Sequence, residues 1–227
     1  RVRLAREAEL TAKEKEATAA LALEQKRHDA AVGADKARHA EKLAEIKRDI
    51  TRLAEDRTKA NAEGALYRAK VAETDAEAAY LKAADGDPKQ LAFEALQSKR
   101  LARATAEEAN IKAIKDVATK RKADAEAEMA RLKAAADEGA KKQYEANKRI
   151  ADQAAEDLAH AQKLAHGLER KRSDWASDAV EQQKVQVKRV EDELATATGR
   201  DHDTVNNALR AEKLRLVQLE QDAAIAR

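Results

Sequence analysis

Residues 78–101 read AAYLKAADGDPKQLAFEALQSKRL, and the eight at their centre, Ala83 to Gln90, decide how the chain is organised. Strong helix formers flank that centre on both sides. Gly86 suits the left-handed position just past a helix end, Asp87 an N-cap and Pro88 the first helical position, and Gln90 can close a capping box with Asp87. The stretch predicts one helix ending and another starting. A second break lies in ATATGRDHDTVNNALRAEKLRL, residues 195–216. Gly86, Ala95, Leu96 and Leu101 recur there as Gly199, Ala208, Leu209 and Leu214, each 113 residues later, with Asp203 as a second capping candidate.

Composition fixes the class. Charged residues make up 39% and aromatic residues 2%, with one Trp, one Phe and one Pro in 227 residues. A conventional core of this size needs large side chains, and the less polar positions here are mainly Ala. Ala, Leu, Glu, Lys and Arg at sustained helical spacing are the composition of long helices and coiled coils. We therefore expect an all-α protein of very long helices, forming a coiled-coil rod or an antiparallel helical hairpin.

The breaks divide the chain into one elongated helical unit with a first long helix over 1–85, a second over 87–166, a third over 168–198 and a fourth over 203–227. Gly33 and Gly64 are read as tolerated inside the first helix, at about 1 kcal/mol each. Its stripe runs at an eleven-residue spacing through Leu10, Leu21, Val32 and Leu43, then at 3–4 spacing through Leu43, Ile46, Ile50 and Leu53. It continues weakly through Ala60, Gly64, Tyr67, Val71, Ala78 and Leu81. The second helix carries Leu91, Leu96, Leu101, Ile111, Ile114, Ala118, Ala125, Met129, Leu132, Ala136, Ile150 and Leu158, with a softer point at Gly139 and an end near His166-Gly167. Leu168, Trp175, Val180, Val187, Val190 and Leu194 mark the third. Val205, Leu209, Glu212, Leu216, Leu219 and Ala223 keep heptad spacing in the last. Such stripes are packing surfaces, and every one requires a partner helix. The turn at Gly86 fits either the tip of a hairpin or a joint in an extended rod.

Net charge is +2, from 45 basic and 43 acidic residues, so no field of one sign steers nucleic acid or an anionic membrane. Glu55/Lys59, Glu108/Lys112, Asp116/Lys120, Asp137/Lys141, Glu138/Lys142 and Glu145/Arg149 stand acid before base at i,i+4, the pattern of a solvated helical face. No stretch approaches the roughly 20 apolar residues of a membrane span. With no Cys, cysteine usage carries no information on the redox compartment. A start at Arg1, without Met or a signal-like pattern, leads us to expect a fragment of a longer protein.

Chemistry has few candidates. The five histidines, His28, His39, His160, His166 and His202, lack the i,i+3 or i,i+4 spacing of a helical metal pair. Asp35/His39 is the nearest approach to one, and it reads as an ion pair. Ser98, Ser173 and Ser177 sit in no nucleophile elbow, and no Gly-rich phosphate loop occurs. Carboxylates on a slender charged rod stay solvated, where a general acid needs a pocket. We expect no catalysis, no metal and no cofactor. Trp175 is the one candidate contact anchor, read alternatively as a plug at a helix junction beside Ser173 and Asp174. Tyr67, Tyr80, Phe93 and Tyr144 stand singly, so no direct nucleic-acid site is expected. Partners should be protein, through self-association or other helices.

Residues 78–101 and 195–216 together resemble the helical middle and C-terminal parts of phage tail tape measure proteins, which are Ala-rich with long helices broken by short Gly-Asp turns. The resemblance lies in composition and cadence. It implies a filamentous protein inside the tail tube of a virion, whose length sets that of the tail and which leaves before the DNA. A charged helical hairpin is also similar in outline to the receptor-binding rods of colicin-like bacteriocins. The segment AEGALYRAK (62–70) is similar to the helical arms of flotillin and vault-like proteins.

Overall fold

The computed structural model describes residues 2–133, 138–198 and 200–225. They form α1 (Val2–Ala30), α2 (Ala34–Lys82), α3 (Asp87–Leu132), α4 (Glu138–Thr196) and α5 (Arg200–Ile225). The protein is all-α, with no strand among the described residues.

Helix boundaries depart from the sequence reading in four places. The run expected over 1–85 is two helices, because Gly33 takes φ 63°, a left-handed conformation that ends a helix and costs Gly little. Val32, expected on the eleven-residue stripe, is left 85% exposed in that turn. The helix expected to reach residue 166 ends at Leu132, and α4 then runs unbroken through His166-Gly167. A single mid-helix Gly costs about 1 kcal/mol, and α4 offsets it by burying Ala161 and Leu168 on either side. The last helix begins at Arg200, so Asp203 lies in its first turn, where its charge suits the helix dipole, and is no N-cap. Gly199 lies outside the described residues, as do 134–137 ahead of Gly139.

The turn at Gly86 forms with φ 93°, and its carbonyl accepts from both Lys89 N and Gln90 N at 3.1 Å. Gly86 is therefore itself the N-cap. Asp87 and Pro88 become the first two helical residues, one step on from the expected register. The expected capping box is replaced: Gln90 Nε2 donates to Glu94 Oε1 at 3.1 Å, and Asp87 pairs with Arg189 at 2.9 Å.

The chain divides into two compact units, Arg1–Val71 with Ala106–Ala161, and Ala72–Thr105 with Gln162–Arg227. In the first, Glu14 meets Arg57 and Glu24 meets His39, so α1 and the first part of α2 run in opposite directions. Glu55 meets Arg121 and Lys59 meets Asp157, joining α2 to α3 and α4. In the second unit, Tyr80 packs on Phe93 and Glu73 meets Arg103, which opposes the directions of α2 and α3 about Gly86. Asp87–Arg189 and Arg100–Asp178 do the same for α3 and α4. Val187, Val190 and Leu209 make the α4–α5 core, flanked by Leu194, Val205 and Leu216.

Alanine fills much of both interiors. Ala118 and Ala161 are 0% exposed, and Ala60, Ala104, Ala113, Ala125, Ala140, Ala151, Ala154 and Ala223 are also buried. Each contributes little area, but a methyl group lets helix backbones approach closely, which partly makes up in packing contacts what is lost in side-chain bulk. In the first unit, Ile111, Ala118, Ala125 and Leu132 are all buried and stand seven apart. No helix among the described residues is long and apolar enough to cross a membrane.

Candidate functional site

The most concentrated chemistry in the protein surrounds Trp175, half-buried in the middle of α4 and not at a helix junction. The guanidinium carbons of Arg100 and Arg103 lie 5.9 and 5.7 Å from its ring centre. Three residues apart on α3, the two arginines share a face. They continue the spacing of Phe93 and Leu96, so two cations occupy seam positions where apolar side chains would be expected. Arg103 Nη1 donates to Glu73 Oε2 at 2.5 Å, and Arg100 Nε lies 4.0 Å from Glu73 Oε1. Arg100 Nη1 also donates to Asp178 Oδ2 at 3.0 Å. Glu73 is 7% exposed and interrupts an inward run of Ala69, Ala72 and Ala76 on α2.

One buried carboxylate thus sits against two cations whose other faces are attracted to an indole ring. The arrangement fixes the register of α2, α3 and α4 in this unit. Paired to each other, these groups offer no free base or nucleophile. Further along α4, the buried Gln183 donates from Nε2 to Glu212 Oε2 at 2.5 Å and to its carbonyl at 3.2 Å, setting α5 against α4.

The first unit carries a second such network. Arg121 donates from Nε to Glu55 Oε2 at 2.9 Å and from Nη2 to Asp56 Oδ1 at 2.8 Å, while Lys120 pairs with Glu55 at 3.1 Å. Burial works against the Arg121 charge, but the hydrogen bonds to Glu55 and Asp56 outweigh it and raise its pKa. Burial likewise pushes Asp157 up, and the hydrogen bond and charge of Lys59 outweigh it and hold the carboxyl below its ordinary range. Glu24, the one buried residue among the described side chains of α1, is held low chiefly by its 2.5 Å hydrogen bond to His39 Nδ1, against the opposing effect of burial. These shifts run opposite to the upward displacement that makes a carboxyl a general acid at neutral pH.

Two of the acid–base pairs read as local i,i+4 contacts are thereby corrected. Glu55 and Lys59, expected to meet each other, reach α3 and α4 instead, because both are partly buried at helix–helix contacts. Asp35 lies 4.0 Å from Arg38, while His39 turns to Glu24.

Among the packing residues named from sequence, Leu43, Ile111, Leu132 and Leu209 are buried, and Ile46, Ile50, Leu53, Ile114, Met129, Leu216 and Leu219 are half-buried. Past Gly64 the expected stripe is wrong: Tyr67, Val71, Ala78 and Leu81 are exposed. The inward residues there are Leu66, Ala69, Ala72 and Ala76, too small for most of them to stand out. Leu91 and Leu101 are exposed as well, because steps of five residues from the buried Leu96 turn a helix to its far side.

Sequence reading missed Glu73, Arg100, Arg103, Glu24 and Gln183. Their signal was a polar residue at a seam-phase position. Among the described residues, no three or more His, Cys, Asp or Glu side chains gather as a metal ion would require. Compared with protein-family models, curated proteins and solved structures, the chain matches none.

Proposed function

We propose that the chain is a non-catalytic, antiparallel coiled-coil module that holds helices in register, serving as a helical segment of a phage tail tape measure protein. The observation that carries the structural part is the burial of Ile111, Ala118, Ala125 and Leu132 at a strict seven-residue spacing. Such a repeat keeps one face on its partners only if the helices wind round each other left-handedly. Charged residues at seam positions support the same reading, since polar groups there select register and partner.

The tail role is supported by the resemblance of residues 78–101 and 195–216 to tape measure segments. It is tested in the particle that encodes the chain. An in-frame deletion of Ala34–Lys82, 49 residues, removes about 74 Å of helix at 1.5 Å per residue. Because α2 lies alongside the helices it pairs with, the tail should shorten by less than that length. A tail of unchanged length, or purified tails lacking the protein, overturns the role.

Opposed α2 and α3 about Gly86 favour a second reading, a receptor-binding hairpin of a colicin-like bacteriocin. That reading expects a monomer which binds target cells through the residues around Gly86. The tape-measure reading expects a multimer without cell binding, so sedimentation and a cell-binding assay separate the two.

A further inference from the structure

We propose that α1 is exchangeable between two copies of this chain: the turn at 31–33 opens into helix, and α1 of each copy packs on α2 of the other. The inference rests on contacts within one unit and is independent of the tape-measure reading.

Four observations carry it. First, α1 is lightly held. Of its described side chains only the carboxylate of Glu24 is buried, and Leu10, Ala17 and Leu21 are half-buried. Second, the ion pairs Glu24–His39 and Glu14–Arg57, which tie α1 to α2, join side chains only. The same acids and bases are satisfied equally well by α1 of another molecule, which is the charge complementarity an exchanged dimer needs. Third, the hinge is three residues long and depends on Gly33 at φ 63°. Short hinges favour exchange, and nothing lies within 4 Å of a Cβ built at Gly33.

The fourth observation is the phase of the seam. On α1 the inward residues are Leu10, Glu14, Ala17, Leu21, Glu24 and His28, at steps of three and four. On α2 they resume at His39, Leu43 and Ile46. Steps of four, three and four from His28 pass through Val32 and Asp35 to His39, so the seam crosses the turn in register. A single helix through 31–33 restores the spacing Leu10, Leu21, Val32, Leu43 that the turn interrupts.

The pairing also predicts where the two-fold axis lies. The Glu24–His39 contact is centred between Ala31 and Val32, and the Glu14–Arg57 contact between Asp35 and Lys36. Two copies exchanging these contacts bring Val32 next to its counterpart. The side chain that is 85% exposed in the closed turn is covered in the dimer.

The chain contains no cysteine, so Val32→Cys places one thiol at that axis. The full chain is concentrated, sized by light scattering and oxidised. We expect a dimer that grows with concentration and cross-links through position 32. Gly33→Ala should raise the dimerisation constant about 25-fold, since each of two hinges gains roughly fivefold in helix preference. Four Gly and Ser residues inserted after Val32 should return the monomer. If Gly33→Ala loses helicity, the Val32→Cys cross-link in the otherwise native chain decides. A chain that stays monomeric at the highest concentration reached, with and without Gly33→Ala, overturns the inference. So does a dimer that fails to cross-link at position 32.

Discussion

Removing the Glu73 carboxylate should be the most damaging single change to the charged network of the second unit. Glu73→Ala deletes the group that meets Arg103 at 2.5 Å and Arg100 at 4.0 Å, and leaves both guanidiniums against the Trp175 ring. Breaking a fully buried ion pair by deleting one partner costs about 3–5 kcal/mol. The arginine side chains are 12% and 20% exposed, and Arg100 keeps Asp178, so we expect about 2–4 kcal/mol here. Replacing both partners by apolar residues, Glu73→Leu with Arg103→Leu, removes the uncompensated charge and should return to within about 1 kcal/mol of the parent. An exposed pair sets the baseline: Glu9→Ala, which breaks the contact with Lys13, should leave the unfolding midpoint essentially unchanged. Urea unfolding read by Trp175 fluorescence and by helical circular dichroism measures all three, and Trp175 is the only Trp in the chain. A cost below about 0.5 kcal/mol for Glu73→Ala, or a double variant no better than the single one, would refute the reasoning.

Three further outcomes follow from the packing and the turns. Ala118→Leu should destabilise by about 1–3 kcal/mol, because Ala118 is 0% exposed and the helices close around a methyl group; urea unfolding checks it. Two glycines should respond in opposite senses to the same change. Gly86→Ala is strained at φ 93° and should cost about 1–2 kcal/mol, whereas Gly167→Ala, in mid-helix with nothing within 4 Å of the added Cβ, should gain about 0.5–1 kcal/mol; thermal melts of the pair compare them. Glu24 titrates below its ordinary value of 4.5 in the folded chain, so its contact stabilises α1 above that value and loses this contribution as pH falls through the depressed folded one. Protection of the α1 amides, taken relative to the intrinsic exchange rate at each pH, should fall in acid, and Glu24→Gln should flatten that dependence.

The sequence made the helices legible because Ala and long charged side chains leave few alternatives, and it made the seam legible where large apolar residues mark it, as at Leu43, Ile46, Ile50 and Leu53. Past Gly64 the seam is built of Ala, and the conspicuous Tyr67, Val71 and Leu81 lie outside it. Size is a poor guide when the interior is made of methyl groups. Helix ends were harder to read. Gly33 and Gly167 are the same residue in similar company, yet one ends a helix and the other does not, because α1 gains partners by folding back and α4 would lose Ala161 and Leu168 by stopping. The charged network around Trp175 was hidden for a related reason. Arg100, Arg103 and Glu73 belong to a composition in which charge is everywhere, and only their phase with Phe93 and Leu96 separates them from a solvated face.

Zero-length carbodiimide cross-linking of the unmodified chain tests the folded-back arrangement most directly, since it joins only amines and carboxylates already in contact. The account predicts isopeptide links between Lys59 and Asp157, Lys120 and Glu55, and Lys213 and Glu191, whose ion pairs span 3.0, 3.1 and 2.7 Å between different helices. In a mixture of isotopically light and heavy chains, each of these links should stay within one chain. Links confined to neighbours on one helix, or links joining light chains to heavy ones at these pairs, would contradict it.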